Sequence, residues 1–179
     1  MTKKFSEILE EVKESESYKK FEKENPSYYL AHGFIQFDSD FKTTKDWQLG
    51  FYSKEKDNLA LFHTEEIKFV GFEDAFKEEG LIDELKFDDS FIDVDKLKEI
   101  ASGLLSKEYD QEKVTSYICI LQSVGGKQLY NVTAITSSLA MITIKVNAQS
   151  GDIIIHKKNS ILSLKKDDGE EVTKEGEEE

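Results

Sequence analysis

The apolar residues of this chain repeat first with the period of a helix and then with the period of a strand, and this succession occurs twice. Phe5, Ile8 and Leu9 begin a stripe at helical spacing that predicts a helix over residues 5–23. A second stripe predicts a helix over residues 94–107. Four short runs of alternating residues follow each helix, which is the pattern of half-buried strands.

The eight predicted strands are rich in aromatic and β-branched residues, and turn residues separate them. Hairpin turns are predicted at residues 54–57, 125–126 and 150–152, where aspartate, glycine or serine lies between two predicted strands. The strands are predicted over residues 28–37, 46–52, 58–63, 67–72, 116–124, 129–136, 140–146 and 153–158.

A shift of 83 positions superposes the two halves of this pattern, placing Trp47 on Tyr130 and Leu61 on Ile144. Such self-similarity indicates two copies of one unit. The predicted fold class is therefore α+β, with two repeated units of one helix and a four-stranded antiparallel sheet. The pattern is compatible both with edge-to-edge joining of the two units into one sheet and with two separate sheets.

Four segments follow from this interpretation. Residues 1–72 form the first unit and residues 94–164 the second, with a strongly acidic linker at residues 73–93 between them. Residues 165–179 are predicted to be a disordered acidic tail, because they contain too little apolar surface to offset the entropy of ordering.

Charge excludes some partners. Asp and Glu number 37 against 24 lysines, with no arginine, and the formal net charge is −13. Nucleic-acid binding draws its affinity from neutralised phosphates, so no nucleic-acid partner is expected. No run approaches the roughly 20 apolar residues of a membrane helix, and no signal peptide is evident. We therefore expect no membrane insertion and a cytoplasmic location, or an extracytoplasmic one if a signal peptide has been removed.

The residues that usually carry chemistry do not form a recognisable motif. His32, His63 and His156 are far apart in sequence, and residues 38–40 lack the glycine and glutamate of a calcium loop. Cys119 lies in an apolar strand, where cysteine behaves as a small hydrophobic residue. We therefore predict no catalytic residue, no metal site and no cofactor, and we expect a protein that is not an enzyme.

Residues 146–154 resemble the strand–turn–strand signature of PepSY domains, typically a hydrophobic-Asp-Ala-x-Thr-Gly-Glu-hydrophobic run. Ala148 and Gly151 match that run, Asn147 stands in place of its aspartate, and Trp47 lies where the family often has a tryptophan strand. The resemblance implies a tandem PepSY-like protein with cystatin-like units, each with one helix on a curved antiparallel sheet. It also implies a non-catalytic role, as in protease propeptides and regulators.

Three functions are compatible with these features. The first is a non-enzymatic module that binds or inhibits a protein or peptide through a sheet face or edge. Its partner is either another protein or a second copy of the same chain. The second is a small-ligand-binding protein or enzyme with a pocket between helix and sheet near Tyr28, His32 and Trp47. The third is a structural or assembly protein.

Alternation along the strands predicts which side chains face the helices. Trp47 and Tyr130 are predicted to turn toward them. The opposite face should carry an apolar patch, which a monomeric protein seldom exposes without a partner. The candidate binding residues on that face are Tyr52, Phe62, Ile135 and Met141.

Overall fold

The computed structural model describes residues 3–75 and 82–162. Its helices are α1 (Phe5–Glu14), α2 (Glu16–Glu24) and α3 (Val94–Glu108). The stripe predicted as one helix is broken at Ser15, where the backbone is extended at φ −67° and ψ 148°. The Ser15 hydroxyl accepts a hydrogen bond of 3.1 Å from the backbone N–H of Tyr18, which caps the start of α2.

The strands agree with the predicted runs to within two residues at each end. They are β1 (Tyr28–Asp38), β2 (Gln48–Ser53), β3 (Asn58–His63), β4 (Lys68–Asp74), β5 (Val114–Val124), β6 (Lys127–Thr136), β7 (Ala140–Asn147) and β8 (Ile153–Ser160). Gly125 and Gly126, between β5 and β6, have φ values of 59° and 79°. A two-residue hairpin turn requires this left-handed conformation, which glycine adopts without strain.

All eight strands form one antiparallel sheet in the order β4-β3-β2-β1-β5-β6-β7-β8. The predicted fold class of two repeated helix-plus-four-strand units is therefore wrong. β1 pairs with β5 over seven residue pairs, from His32 with Gln122 to Asp38 with Ser116, so the sheet is continuous through its middle. The helices are also unequally divided, because two precede β1 and one precedes β5.

The shift of 83 positions fails in β3. Leu49 lies opposite Phe62 in the β2–β3 pair, whereas Val132 lies opposite Ile144 in the β6–β7 pair. Phe62, and not Leu61, therefore occupies the position in β3 that corresponds to Ile144. A slip of one residue moves every side chain of a strand to the other face, because side chains alternate with a period of two.

One hydrophobic cluster runs through both halves of the chain, and it includes residues predicted to lie in a linker. Leu85 is 3% exposed, and its backbone N–H donates to the Leu30 carbonyl oxygen at 2.8 Å. Further along, the N–H of Ile92 donates to the carbonyl oxygen of Ala148 at 2.8 Å. Residues 82–93 therefore pack against both halves of the sheet, because their apolar side chains supply buried surface between acidic neighbours.

Helix α3, with 15 residues, is the longest helix in the described ranges. No helix within those ranges is long and apolar enough to cross a membrane. The tail predicted over residues 165–179 lies outside the described residues.

Candidate functional site

The sheet has one face on which the helices pack, here called the helix face. The Phe5 ring of α1 packs edge-on against Trp47, with ring centroids 4.9 Å apart. Phe21 of α2 packs edge-on against Phe62 at 5.2 Å, and Leu97 of α3 belongs to the same core cluster. Side chains of alternate residues point to the opposite side, here called the outer face.

Strands β1, β5, β6, β7 and β8 lie side by side and form a large part of the outer face. On this part Phe34 lies opposite Ile120, and Ile135 lies opposite Met141. These side chains and Ile118 are half-buried by their neighbours within the sheet. We call the five residues Phe34, Ile118, Ile120, Ile135 and Met141 the outer patch.

The four predicted binding residues do not come together. Ile135 and Met141 lie in the outer patch, as the alternation predicted. Tyr52 points to the outer face but is 0% exposed, its ring packs edge-on on Tyr29 at 5.8 Å, and its hydroxyl donates to the Asp57 carboxylate. The prediction that Phe62 faces outward is wrong, because the slip in β3 turns it into the core.

The sheet edge next to the outer patch is also apolar. Ile153, Ile154 and Ile155 of β8 are 39%, 47% and 50% exposed. An apolar edge strand is a template for pairing with another chain, and lysine side chains oppose such pairing. In β8 Lys157 is exposed, and Lys158 forms an ion pair with Glu112. This edge is therefore a second surface on which association between chains could occur.

His32 lies on the outer face next to the patch, and Gly50 on β2 makes room for it. A methyl group at Gly50 would lie 2.2 Å from His32 Cε1, so the close approach of the ring requires glycine there. Burial lowers the pKa of His32 from 6.5 to about 4. The imidazole is therefore neutral at physiological pH, because burial disfavours its charged form.

We expect the free energy of unfolding to fall as the pH drops from 6.5 toward 4. The unfolded chain binds a proton at His32 below about pH 6.5, whereas the folded chain resists protonation down to about 4. The expected loss is roughly 2 to 3 kcal/mol. Urea unfolding at about pH 7.5 and about pH 4.5 measures it. His32→Gln should remove this part of the pH dependence, whereas His63→Gln, at an exposed position, should retain it.

A cavity of about 890 Å³ opens on the helix face, where α1 and α3 begin. Six of its lining residues are aromatic, and Tyr130 and Trp47 are two of them, which confirms that both turn toward the helices. The Tyr130 hydroxyl donates to the Ile92 carbonyl oxygen at 2.8 Å, and burial raises the pKa of Tyr130. The other aromatic side chains of the wall are Phe5, Phe41, Phe87 and Phe91.

Trp47 contributes a buried hydrogen-bond donor without an acceptor. The side chain is 1% exposed, and no described residue accepts a hydrogen bond from Nε1. A methyl group at Gly33 would lie 3.1 Å from Cε3, so that edge of the indole faces β1. Nε1 is on the opposite edge. An unpaired buried donor destabilises a fold by about 1 to 3 kcal/mol, so this one is unusual.

Tyr28, His32 and Trp47, which were predicted to line one pocket, do not come together in the described part of the structure. Trp47 lines the cavity, whereas His32 lies opposite Gly50 on the outer face and Tyr28 packs against Phe21 of α2. Cys119 is fully buried, and burial raises its thiol pKa, so the reactive thiolate is disfavoured. Within residues 3–75 and 82–162, no three His, Cys, Asp or Glu side chains are grouped so that they could hold a metal ion.

Sequence reasoning missed most of the cavity wall because its residues come from irregular segments. Phe41 has a φ of 61° in the loop after β1, where no periodic pattern applies. Phe87 and Phe91 lie among aspartates in the segment predicted as a linker. The aromatic residues within this acidic stretch were the sequence feature that indicated packing, because large aromatic side chains are usually buried rather than solvated.

The fold and the two surfaces define a single-sheet α+β protein with an open outer face and an aromatic cavity on the helix face. No model of a protein family matches the chain, and no curated protein matches it. The chain is similar in structure to a "putative lipoprotein" from Clostridium difficile 630, with 10% sequence identity and a TM-score of 0.48. The alignment covers 79% of this chain and 89% of that one. A likeness this distant carries no argument about function.

The turn that carries the resemblance to PepSY domains joins β7 to β8. The Asn147 side-chain oxygen accepts hydrogen bonds from the N–H groups of Gln149 at 2.9 Å and Ser150 at 3.0 Å. Gly151 has a φ of 76°, which glycine adopts readily. The turn chemistry is as the sequence indicated, and membership of that family stays a prediction.

Proposed function

We propose that this chain is a non-enzymatic protein-binding module, and that the polypeptide bound by its outer face is a second copy of the same chain. The observation that supports this is the outer patch, in which five large apolar side chains lie together on the side of the sheet opposite the helices. Monomeric proteins seldom expose a contiguous apolar surface of this kind.

The area of the face suits a dimer. With strands about 4.8 Å apart and residues about 3.4 Å apart, five strands of eight residues give a face of roughly 24 by 27 Å, about 650 Å². Each partner in an interface of standard size buries about 800 Å². The two areas are comparable, because a corrugated surface has more area than its projection.

Charge also favours a second copy at this face. The chain carries a net charge of −13, so most contacts between copies would bring carboxylates together. Between the outer-patch residues the outward side chains of β5, β6 and β7 are mainly Gln, Thr and Asn, and Lys145 is the charged one. Two such faces can meet as packed sheets about 10 Å apart, related by a two-fold axis, without burying opposed acids.

Sedimentation velocity tests the proposal on the full chain. We expect the wild type at about 100 µM to sediment as a dimer, because association follows mass action. The double variant Ile118→Thr and Ile135→Thr should sediment as a monomer and still unfold cooperatively on heating, at a somewhat lower temperature because the dimer no longer stabilises the fold. Threonine suits this test because it is β-branched and keeps the strand propensity of isoleucine.

A matched control makes the same chemical change at the exposed edge, with Ile153→Thr and Ile154→Thr in β8. The control should remain a dimer. A monomeric wild type would contradict the proposal. If the edge variant lost the dimer and the outer-patch variant kept it, the proposal would be wrong and the interface would lie at β8. We propose that the module acts in the cytoplasm, or outside it if a signal peptide has been removed, as expected from the sequence.

A further inference from the structure

We propose that the cavity on the helix face is a binding site for a small organic anion with an aromatic or apolar body. The outer face plays no part in this inference, which holds or fails separately from the proposed dimer. The cavity volume of about 890 Å³ lies within the range of roughly 300 to 1,000 Å³ typical of small-molecule sites. Its aromatic walls provide flat apolar surface against which a ring or a chain can pack.

Two helices begin at this cavity. Lys4, Phe5 and Ser6 at the start of α1 line one side, and Val94 and Asp95 at the start of α3 line another. The first N–H groups of a helix lack acceptors within the helix and carry partial positive charge, which favours an anion. α1 and α3 have 10 and 15 residues.

At the start of each helix, only some of the free N–H groups form hydrogen bonds with side chains of the same helix. The Glu7 carboxylate accepts from the N–H of Lys4 at 3.1 Å, and the Asp93 carboxylate accepts from the N–H of Lys96 at 2.8 Å. Neither contact uses the N–H groups of Phe5 and Ser6. These two N–H groups are therefore available to a ligand at the start of α1.

Trp47 is the independent observation that points to a ligand. It lines the cavity, is 1% exposed, and has an Nε1–H with no acceptor among the described residues. By contrast, the hydroxyl of Tyr130 in the same wall already donates to Ile92. Native proteins satisfy nearly all their buried donors, so an unused donor on a side chain that lines the cavity favours an acceptor from outside the chain.

The side chains around the cavity are more positive than the chain as a whole. Four lysines and three aspartates line it, in a protein of net charge −13. The carboxylate of Asp93 is already committed to capping α3. Lys3 is paired with Glu11 at 2.8 Å, whereas Lys4, Lys42 and Lys98 have no ion pair among the described residues. These three lysines are therefore the cations available to an acidic group, and two of them, Lys42 and Lys98, lie outside the helix start of α1.

The probe for the test is 8-anilinonaphthalene-1-sulfonate, an aromatic anion whose fluorescence rises on binding. Its neutral counterpart is N-phenyl-1-naphthylamine, which has the same rings without the sulfonate. The double variant Lys42→Gln and Lys98→Gln removes two charges at the cavity. The control, Lys19→Gln and Lys20→Gln, removes two exposed lysine charges from helix α2, outside both the cavity lining and the outer face.

We expect the cavity variant to bind the sulfonate about tenfold more weakly than the wild type, and the control variant to bind it as the wild type does. The neutral amine should bind all three proteins with affinities within about twofold of one another, because only apolar contacts hold it. Raising the salt concentration should weaken sulfonate binding to the wild type more than to the cavity variant, because salt screens exposed charges.

Equal sulfonate affinity in the wild type and the cavity variant would overturn the proposal. An equal loss in both variants would also overturn it, because the lysines would then act through net charge alone. Either outcome leaves the dimer measured by sedimentation unaffected. The melting temperatures of both variants, measured without probe, show that each is folded.

Discussion

Replacing Trp47 by alanine is expected to lower the free energy of unfolding by about 3 to 5 kcal/mol, as for other large buried side chains. The indole is 1% exposed, packs against the Phe5 ring at 4.9 Å, and has its Cε3 edge against Gly33. Its removal would leave α1 without the surface on which its first turn rests. Urea unfolding monitored by far-ultraviolet circular dichroism measures the change, because the variant has no tryptophan to report it.

Trp47→Phe is the matched control, and it should destabilise the fold much less than alanine does. Phenylalanine keeps an aromatic ring against Phe5 and loses only the indole N–H, which has no acceptor among the described residues. Removal of a donor that forms no hydrogen bond forfeits no bond energy. A loss below about 1 kcal/mol for Trp47→Ala would contradict the packing described here.

The sequence predicts the individual elements well because helices and strands leave different apolar periods. All eight strands lie within two residues of their predicted ends, and α3 lies within one. The break at Ser15 escaped prediction because the apolar stripe continues across it, and only the local cap separates α1 from α2. Periodicity shows which side of an element is buried, but it does not show where one helix ends and the next begins.

Assembly of the elements is harder to predict than the elements themselves. Each half of the pattern looks complete alone, yet β1 pairs with β5 along seven residues and joins both halves in one sheet. Which strand edges pair depends on contacts between distant residues, and no local period encodes them. The segment with Leu85 was likewise predicted as a solvated linker, because its acids outnumber the apolar residues that hold it to the sheet.

The candidate sites show the same difference between features that follow a local period and features that depend on contacts between distant residues. Ile135 and Met141 were placed on the outer face by alternation alone, because β6 and β7 follow the pattern without interruption. The cavity required Phe41 and Phe91 from loops to meet Trp47, which immediately precedes β2. Residues from three separate segments converge there only after the chain has folded, so no sequence pattern groups them.

Phe62 provides the sharpest test of the slip in β3. Phe62→Ala is expected to lower the free energy of unfolding by about 3 to 5 kcal/mol. Its side chain is 0% exposed and its ring contacts Phe21, Phe51 and Phe69 at 5.2, 5.5 and 5.5 Å. The loss of this ring would open a void where α2 packs on the sheet.

Ile135→Ala is the comparison on the outer face, and it should lower the free energy of unfolding by only about 1 kcal/mol, because Ile135 is half-buried. Urea unfolding at a protein concentration low enough for the monomer separates folding from association. If Phe62 instead pointed outward, the order of the two losses would reverse, and Phe62→Ala would weaken the dimer while leaving the monomer stable. The ranking of these two variants therefore decides whether β3 turns Phe62 toward α2 or toward a partner.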